Sequence, residues 1–388
     1  MNRVIIKKIL PVLLALLLLP ACNGTANTIA QKNNTPTSTS SNTSTTTPQP
    51  VFPAFSDWRA AYMAKDQSVH AVTLDGKSDI AGPILTQYTD QVNSVNDEIS
   101  PDGHTFAYTS LTSFNIINLQ TGIPANFTNL NPPFGDVSTA FWSQNGQYLA
   151  VGDNEQGIGI ITMANNTDIT LPLHLTSDQQ ILLIGWIDAS HVAIYTYVGT
   201  ENNGRYDFES VSVPDGHQTL IASLPHNVWN GNLFDPTISP DGRQILVSNS
   251  PYRYYPFTPQ VAVINTQTEQ VRYFPNIVRQ TGGNFTTIAW RPGYPNSVAV
   301  SSGANFYAWE LNLATDSATN LAKGWYPTAW SPDSKTLILI AEIFGDSITP
   351  PFSIEAMTFD SQMHVASQII LTNAAYGFPF VGFIKTSG

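Results

Sequence analysis

The sequence predicts an all-β protein, a seven-bladed β-propeller of four-stranded antiparallel blades whose ring is closed by the C-terminal strand. Three observations lead there. A short motif recurs six times at a spacing of 40 to 52 residues, the period of a propeller blade. A series of β-rich runs recurs seven times in step with it. An unpaired apolar run remains at the C-terminus after the last complete repeat.

The recurring motif is a hairpin. Its fullest copy reads DPTISPDGRQILVSNS at residues 235–250. The other copies are ISPDGHTFAYTS from Ile99, WSQNGQYLAVGD from Trp142, WIDASHVAIYTY from Trp186, WRPGYPNSVAVSS from Trp290 and WSPDSKTLILIA from Trp330. In each, an apolar strand ends in Trp or Ile and a turn follows. Pro presets φ, Asp bonds local amides, and Gly accepts the positive φ that closes the turn. A β-rich run then returns. Recurrent Asp-Gly also occurs in metal-binding loops, but the turn accounts for every copy, so no metal ligand is assigned.

The second series confirms the period. It comprises NIINLQTG at 115, IGIITMANN at 158, FESVSVPDG at 208, VAVINTQTE at 261, FYAWELNLATDS at 306 and SIEAMTFDSQ at 353. A seventh, VHAVTLDGK at 69, precedes every hairpin. A fourth run follows each, such as QTLIASL and QVRYFPN, and four strands per unit make a propeller blade. The N-terminal unit has a second strand, WRAAYMA from Trp58, but no first. The surplus run GFPFVGFIKT from Gly377 supplies it, which hides the edges an open array exposes.

The DP-x-x-SPDG pattern, with Trp before Ser in several copies, resembles the TolB-type, WD-like propeller repeat over residues 57 to 384. WIDAS and WRPGY depart from it. The resemblance implies a propeller but no single function, because that family includes protein-binding scaffolds, propellers appended to peptidases and a few lyases.

The N-terminus gives the expected address. Arg3, Lys7 and Lys8 precede the apolar stretch Ile9 to Pro20, too short for the roughly 20 residues of a spanning helix. Leu19-Pro20-Ala21-Cys22 resembles the lipobox of bacterial lipoproteins, with Pro20 in place of the usual small or aliphatic residue. Residues 1–21 then read as a signal peptide and Cys22, the sole Cys, as the lipidated N-terminus. Asn33 to Pro50 contains only Thr, Ser, Asn, Pro and Gln, so residues 22–52 form a tether unable to bury a core. Residues 53–388 are the propeller, anchored by lipid on the extracytoplasmic side of the cell membrane, at the surface or in the periplasm.

That propeller carries 12 basic and 28 acidic residues, a net charge of −16. This argues against nucleic acid, which needs clustered Lys and Arg, and against docking on anionic lipid. No G-x-S-x-G elbow, HExxH, Cys cluster or Gly-rich phosphate loop occurs. No catalytic residue and no cofactor is therefore assigned.

Loops joining strand four to strand one, and strand two to strand three, open on one face of a propeller, where by family analogy functional funnels lie. His104, His191, His217 and His364 map to the opposite turns. His174, His226 and His70 map toward the funnel without ligand-like spacing. Asp97, Glu98, Asp153, Glu155, Asp235, Glu342 and Asp346 map to the funnel side, where carboxylates do acid–base work or hold Ca²⁺.

One stretch stands outside the repeat: SPYRYYPFTPQ, Ser250 to Gln260, between strands two and three of the fifth blade. Tyr252, Arg253, Tyr254 and Tyr255 are recognition-type side chains, and Trp229, Trp325 and Tyr326 are placed in loops of the same face. The sequence thus reads as a monomeric, surface-tethered binding protein for a protein or glycan partner of the cell envelope. The rival is a lyase or glycan hydrolase with a carboxylate site in the funnel, and a third reading is a structural scaffold. Convergent charged and His side chains in the funnel favour the enzyme, an aromatic lining favours binding, and a plugged channel favours the scaffold.

Overall fold

The repeated turn folds as its chemistry dictates. The Ser hydroxyl donates to the Asp or Asn two residues on, in the pairs Ser100–Asp102, Ser143–Asn145, Ser239–Asp241 and Ser331–Asp333, at 2.5 to 2.8 Å. The same oxygen accepts the amide of Thr105, Tyr148, Gln244 or Thr336 at 2.9 to 3.0 Å. The Asp or Asn oxygen accepts the amide two residues further on. Each Ser is buried and fully satisfied, as a buried hydroxyl must be. The next residue has positive φ: Gly103, Gly146, Gly242 and, in the last copy, Ser334. Gly242 answers a second demand, since a Cβ there would lie 1.8 Å from the Ile187 carbonyl oxygen.

The computed structural model describes residues 51–85, 98–109, 114–125, 139–153, 157–165, 167–173, 181–199, 204–226, 228–229, 233–249, 260–283, 285–302, 307–341, 352–360, 364–375 and 380–386. The first blade contains β1 (Arg59–Met63), β2 (Ser68–Thr73) and β3 (Asp79–Ile84). The second contains β4 (Glu98–Ile99), β5 (Thr105–Thr109) and β6 (Phe114–Asn118), with a bridge from Ile117 to Pro124 at the fourth-strand position. The third contains β7 (Thr139–Trp142), β8 (Tyr148–Asp153), β9 (Gly157–Thr162) and β10 (Thr167–Thr170). The fourth contains β11 (Ile181–Asp188), β12 (His191–Val198), β13 (Arg205–Ser212) and β14 (Gln218–Pro225).

The fifth contains β15 (Leu233–Ile238), β16 (Gln244–Asn249), β17 (Val261–Asn265) and β18 (Val271–Tyr273), followed by the short helix α1 (Pro275–Thr281). The sixth contains β19 (Phe285–Trp290), β20 (Ser297–Ser302), β21 (Tyr307–Asn312) and β22 (Ser317–Lys323). The seventh contains β23 (Trp325–Trp330), β24 (Thr336–Ala341), β25 (Phe352–Phe359) and β26 (Val365–Ala375). The chain ends with β27 (Gly382–Ile384). Every sheet is an antiparallel meander, and the blades form the seven-bladed ring that the repeats predict. Helix α1 was not foreseen. It starts at Pro275, and Asp316 of the neighbouring blade accepts the amides of Asn276 and Ile277 at 3.2 and 3.0 Å.

No blade has a core of its own. The buried apolar residues fall into seven clusters among the described residues, and each joins two adjacent blades. Both faces of a middle strand are therefore covered. This is why β16 and β12 are buried almost throughout rather than alternating with period two. Outer strands such as β10 and β26 stay largely exposed.

Indoles tie the inner strands together. The Nε1 of Trp142, Trp186 and Trp290 donates to the Glu98, Phe141 and Thr237 carbonyls of the preceding blade, at 3.2, 2.8 and 3.1 Å. Where Ile238 replaces Trp, Gly185 makes the room: a Cβ on it would lie 2.8 Å from Ile238 Cγ2.

The ring closes as the strand count requires. β27 pairs with β1 through Arg59–Ile384, Ala60–Phe383 and Ala61–Gly382. The Thr386 hydroxyl donates to the Pro53 carbonyl at 2.7 Å and accepts the Phe55 amide at 2.9 Å. Removing residues 375–388 strips the inner strand from the first blade and opens its clusters with both neighbours. The truncated chain should aggregate and show no cooperative thermal transition by circular dichroism. Soluble protein melting cooperatively near the full-length temperature would refute closure as the requirement for folding.

Candidate functional site

The inner strands line the axis of the ring, and at their ends stand the turn prolines Pro101, Pro240 and Pro332. These prolines rim a cavity of about 640 Å³. Its walls are mainly Trp58, Trp142, Trp330, Phe380 and Phe383, with Glu98 as a single carboxylate among the described lining residues. The three indoles arrive by different routes. Trp142 and Trp330 end the inner strands β7 and β23, while Trp58 immediately precedes β1. Only Trp58 of the three is more than slightly exposed.

Glu98 opens β4. Burial pushes its pKa up from the usual glutamate value to about 7, and the hydrogen bond from the Trp142 amide opposes this only in part. Two cations of the chain rest against the aromatic wall without lining the cavity. Lys385 Nζ lies 5.8 Å from the Trp58 ring centre, and the Arg291 guanidinium lies 4.7 Å from that of Trp330.

The residues expected to recognise a partner fall elsewhere. Tyr252, Arg253, Tyr254 and Tyr255 lie outside the described residues, as does Cys22. Trp229 is a correction. It is fully buried in the cluster between the fourth and fifth blades, with Phe208, Leu233 and Ile245. The Pro225 carbonyl accepts the amides of Val228 and Trp229 at 3.1 and 3.3 Å, and this tight turn folds the indole inward. Trp325 and Tyr326 are also corrected in place. They open strand β23 opposite Ala341 and Ile340 rather than sitting in a loop, and both are half-buried.

Among the described residues the histidines are dispersed, and His174 lies outside them. His104, His191, His217 and His364 lie at turns, as expected, and His226 sits between the Tyr197 and Tyr206 rings at 5.4 and 5.9 Å. His70 bonds Asp79, at 3.1 Å, and stands 3.3 Å from the Tyr62 hydroxyl. Burial works against the Asp79 charge, but bonds from His70 and Tyr62 hold its pKa below the ordinary value. Among the described residues no three His, Cys, Asp or Glu come together. Of the carboxylates singled out in the sequence, Asp97, Glu155, Glu342 and Asp346 lie outside the described residues. Asp153 and Asp235 belong to β8 and β15. Glu98 enters the cavity, but at the end of the ring where the strand-one-to-two turns lie and not on the funnel side expected for it, because it stands two residues before the Ser100 turn at the end of its inner strand.

Neither a protein-family model nor a curated protein sequence matches the chain. Solved structures do. An oligogalacturonate lyase in complex with manganese aligns with a TM-score of 0.54 and 10% identity, over 84% of this chain and 86% of that one. The RRP9 WD40 repeats align with a TM-score of 0.52 and 11% identity, over 85% and 88%. A chain of the mitotic checkpoint complex aligns with a TM-score of 0.52 and 16% identity, over 73% and 81%. The chain has the fold of a seven-bladed β-propeller. Identities this low carry the fold and nothing about chemistry.

Glu98 makes this propeller's stability depend on pH. A carboxyl whose pKa is raised on folding binds more protons folded than unfolded. Stability therefore falls as pH climbs from the usual glutamate value through about 7 and is flat above that. Glu98→Gln removes the titration. The variant should melt a few degrees above wild type at pH 8 and at the same temperature near pH 4. Equal melting temperatures at pH 8 would show that Glu98 ionises there without penalty.

Proposed function

We propose that the chain is a lipid-anchored, extracytoplasmic recognition protein of TolB-like type, whose propeller binds a protein or glycan partner of the cell envelope. The observation that carries the binding half is the axial cavity. Its walls are aromatic and its described lining holds one carboxylate, the composition of a site that buries a ligand group rather than one that assembles several reacting side chains. The lipobox-like Leu19-Pro20-Ala21-Cys22 and the polar tether carry the address.

The 250–260 segment remains a second proposed partner surface, separate from the cavity. As a strand-two-to-three connection it belongs to the end of the ring opposite the turn prolines, where Trp325 and Tyr326, which open β23, are further contacts. Prolines at 251, 256 and 259 limit its freedom and so the entropy lost on binding. Trp229, buried as it is, acts there only by supporting the blade. Arg253, Tyr254 and Tyr255 replaced together by Ala should leave the melting temperature nearly unchanged. Partner capture from envelope extracts should fall at least tenfold, since such anchors contribute about 2 kcal/mol or more each. A lowered melting temperature with undiminished capture would reassign the segment to packing.

The anchor has its own test. Cys22→Ala should release the protein from membranes or leave the uncleaved precursor. A lipid-labelled, mature Cys22→Ala protein in the membrane fraction would rule the lipobox out.

A second reading has one specific support. A glutamate with a pKa of about 7 suits general acid–base work, and a structural neighbour is an oligogalacturonate lyase. An enzyme would need a second group opposite Glu98, and the described lining offers only the hydroxyls of Ser100 and Thr328. That of Ser100 is already committed to Asp102 and the Thr105 amide, and that of Thr328 donates to the Tyr326 carbonyl at 3.4 Å.

A further inference from the structure

We infer that the axial cavity takes an organic ammonium ion carried on an apolar group, with Glu98 as its counter-charge and the indoles of Trp58, Trp142 and Trp330 as its walls. This rests on reading the cavity as a binding site, and it adds the charge and chemistry of what enters. The volume, about 640 Å³, lies in the range of small-molecule sites.

The carboxylate sets the sign. Glu98 stands alone as a charged group among the described lining residues, and the Trp142 amide is the hydrogen-bond donor identified for it. A carboxylate accepts several hydrogen bonds, so capacity remains for an N–H donor from the cavity side. Glu98 is half-buried, a partly desolvated charge without an opposite charge beside it is costly, and a ligand cation offsets that cost. An anion would meet Glu98 head on. A neutral polyol would find few hydrogen-bonding groups, because the rest of the wall is largely ring and proline.

The walls agree with that sign. Ring faces attract cations, and this chain already places Arg291 against Trp330 and Lys385 against Trp58. Neither of those cations lines the cavity, so neither neutralises Glu98 from within it. The net charge of −12 draws cations toward the protein over longer distances. Phe380 and Phe383 give the apolar part of the ligand a surface to cover.

The test titrates the purified propeller with benzylammonium and with benzyl alcohol, its neutral counterpart of the same size, by tryptophan fluorescence and calorimetry at pH 8. Benzylammonium should bind saturably and at least tenfold more tightly than benzyl alcohol. Glu98→Gln should erase that preference, chiefly by weakening benzylammonium. At pH 5.5, where Glu98 is protonated, wild type should behave like the variant. Equal affinity for the two probes, or an undiminished preference in Glu98→Gln, overturns the cation assignment and leaves the binding reading standing. Absence of binding by either probe overturns both the cation assignment and the use of the cavity as support for that reading. Trp58→Ala, read the same way, should weaken both probes. Unchanged affinity for both in that variant removes the indole wall from the proposal.

Discussion

Every blade depends on its neighbours for burial. A four-stranded sheet with two apolar faces is unstable in water until both are covered, and here each face is covered by the next blade around the ring. The seven clusters are interfaces, the last of which joins β24, β25 and β26 to Tyr62, Val72 and Phe383 of the first blade. The consequence is topological. With the first blade's other strands beginning at β1, a second strand, its inner position is filled by the C-terminal run, and β27 and Thr386 complete the last interface. Most other features of the structure serve to place the blades at the distance this closure demands.

The turn shows how local chemistry meets that demand. Ser-Pro-Asp-Gly is stable on its own hydrogen bonds, which is why the sequence announces it. It also brings the backbone against the preceding blade, so that Gly242 has no room for a side chain. Where the motif lapses, bonds between blades take over. In WRPGY the Arg291 side chain donates through Nε and Nη2 to the Ser334 carbonyl, at 2.9 and 2.7 Å. The Ser334 hydroxyl donates back to the Pro292 carbonyl. Ser334 is itself the left-handed residue of its turn, at φ 63°. Two departures on adjacent blades thus hold each other, and burial of Arg291 lowers its pKa without leaving it unsatisfied.

What was legible in the sequence follows the range of the forces. Hairpins, blade number and closure were readable because each turn is specified within six residues and strand counting does the rest. Trp229 was misplaced because its direction depends on a single turn after Pro225, invisible in the composition of PHNVWNGN. Trp325 and Tyr326 looked like loop residues because Gly324 and Pro327 flank them, yet Pro327 falls at a register shift between β23 and β24, where its missing amide breaks no ladder bond. The cavity was illegible for a different reason. Its walls come from the first, second, third, fifth and seventh blades, and no local pattern records which inner-strand residues meet across the axis.

Glu98 shows what such a pattern would have had to contain. An inner strand has one edge hydrogen-bonded within its blade and two faces packed on neighbouring blades, so its outer edge alone is free. Around a ring those free edges converge on the axis, the one region no blade covers. A polar residue tolerated there escapes the burial that would exclude it elsewhere in the strand, yet it still loses water to the surrounding rings. DEISPDG carried that signal: a carboxylate immediately before an inner-strand Ile, where the other five copies have Phe141, Gly185, Thr237, Ala289 and Ala329. The same geometry that makes the propeller a closed core leaves a partly desolvated axis. A single charge placed on it is both a small cost to the fold and the most specific feature of its surface.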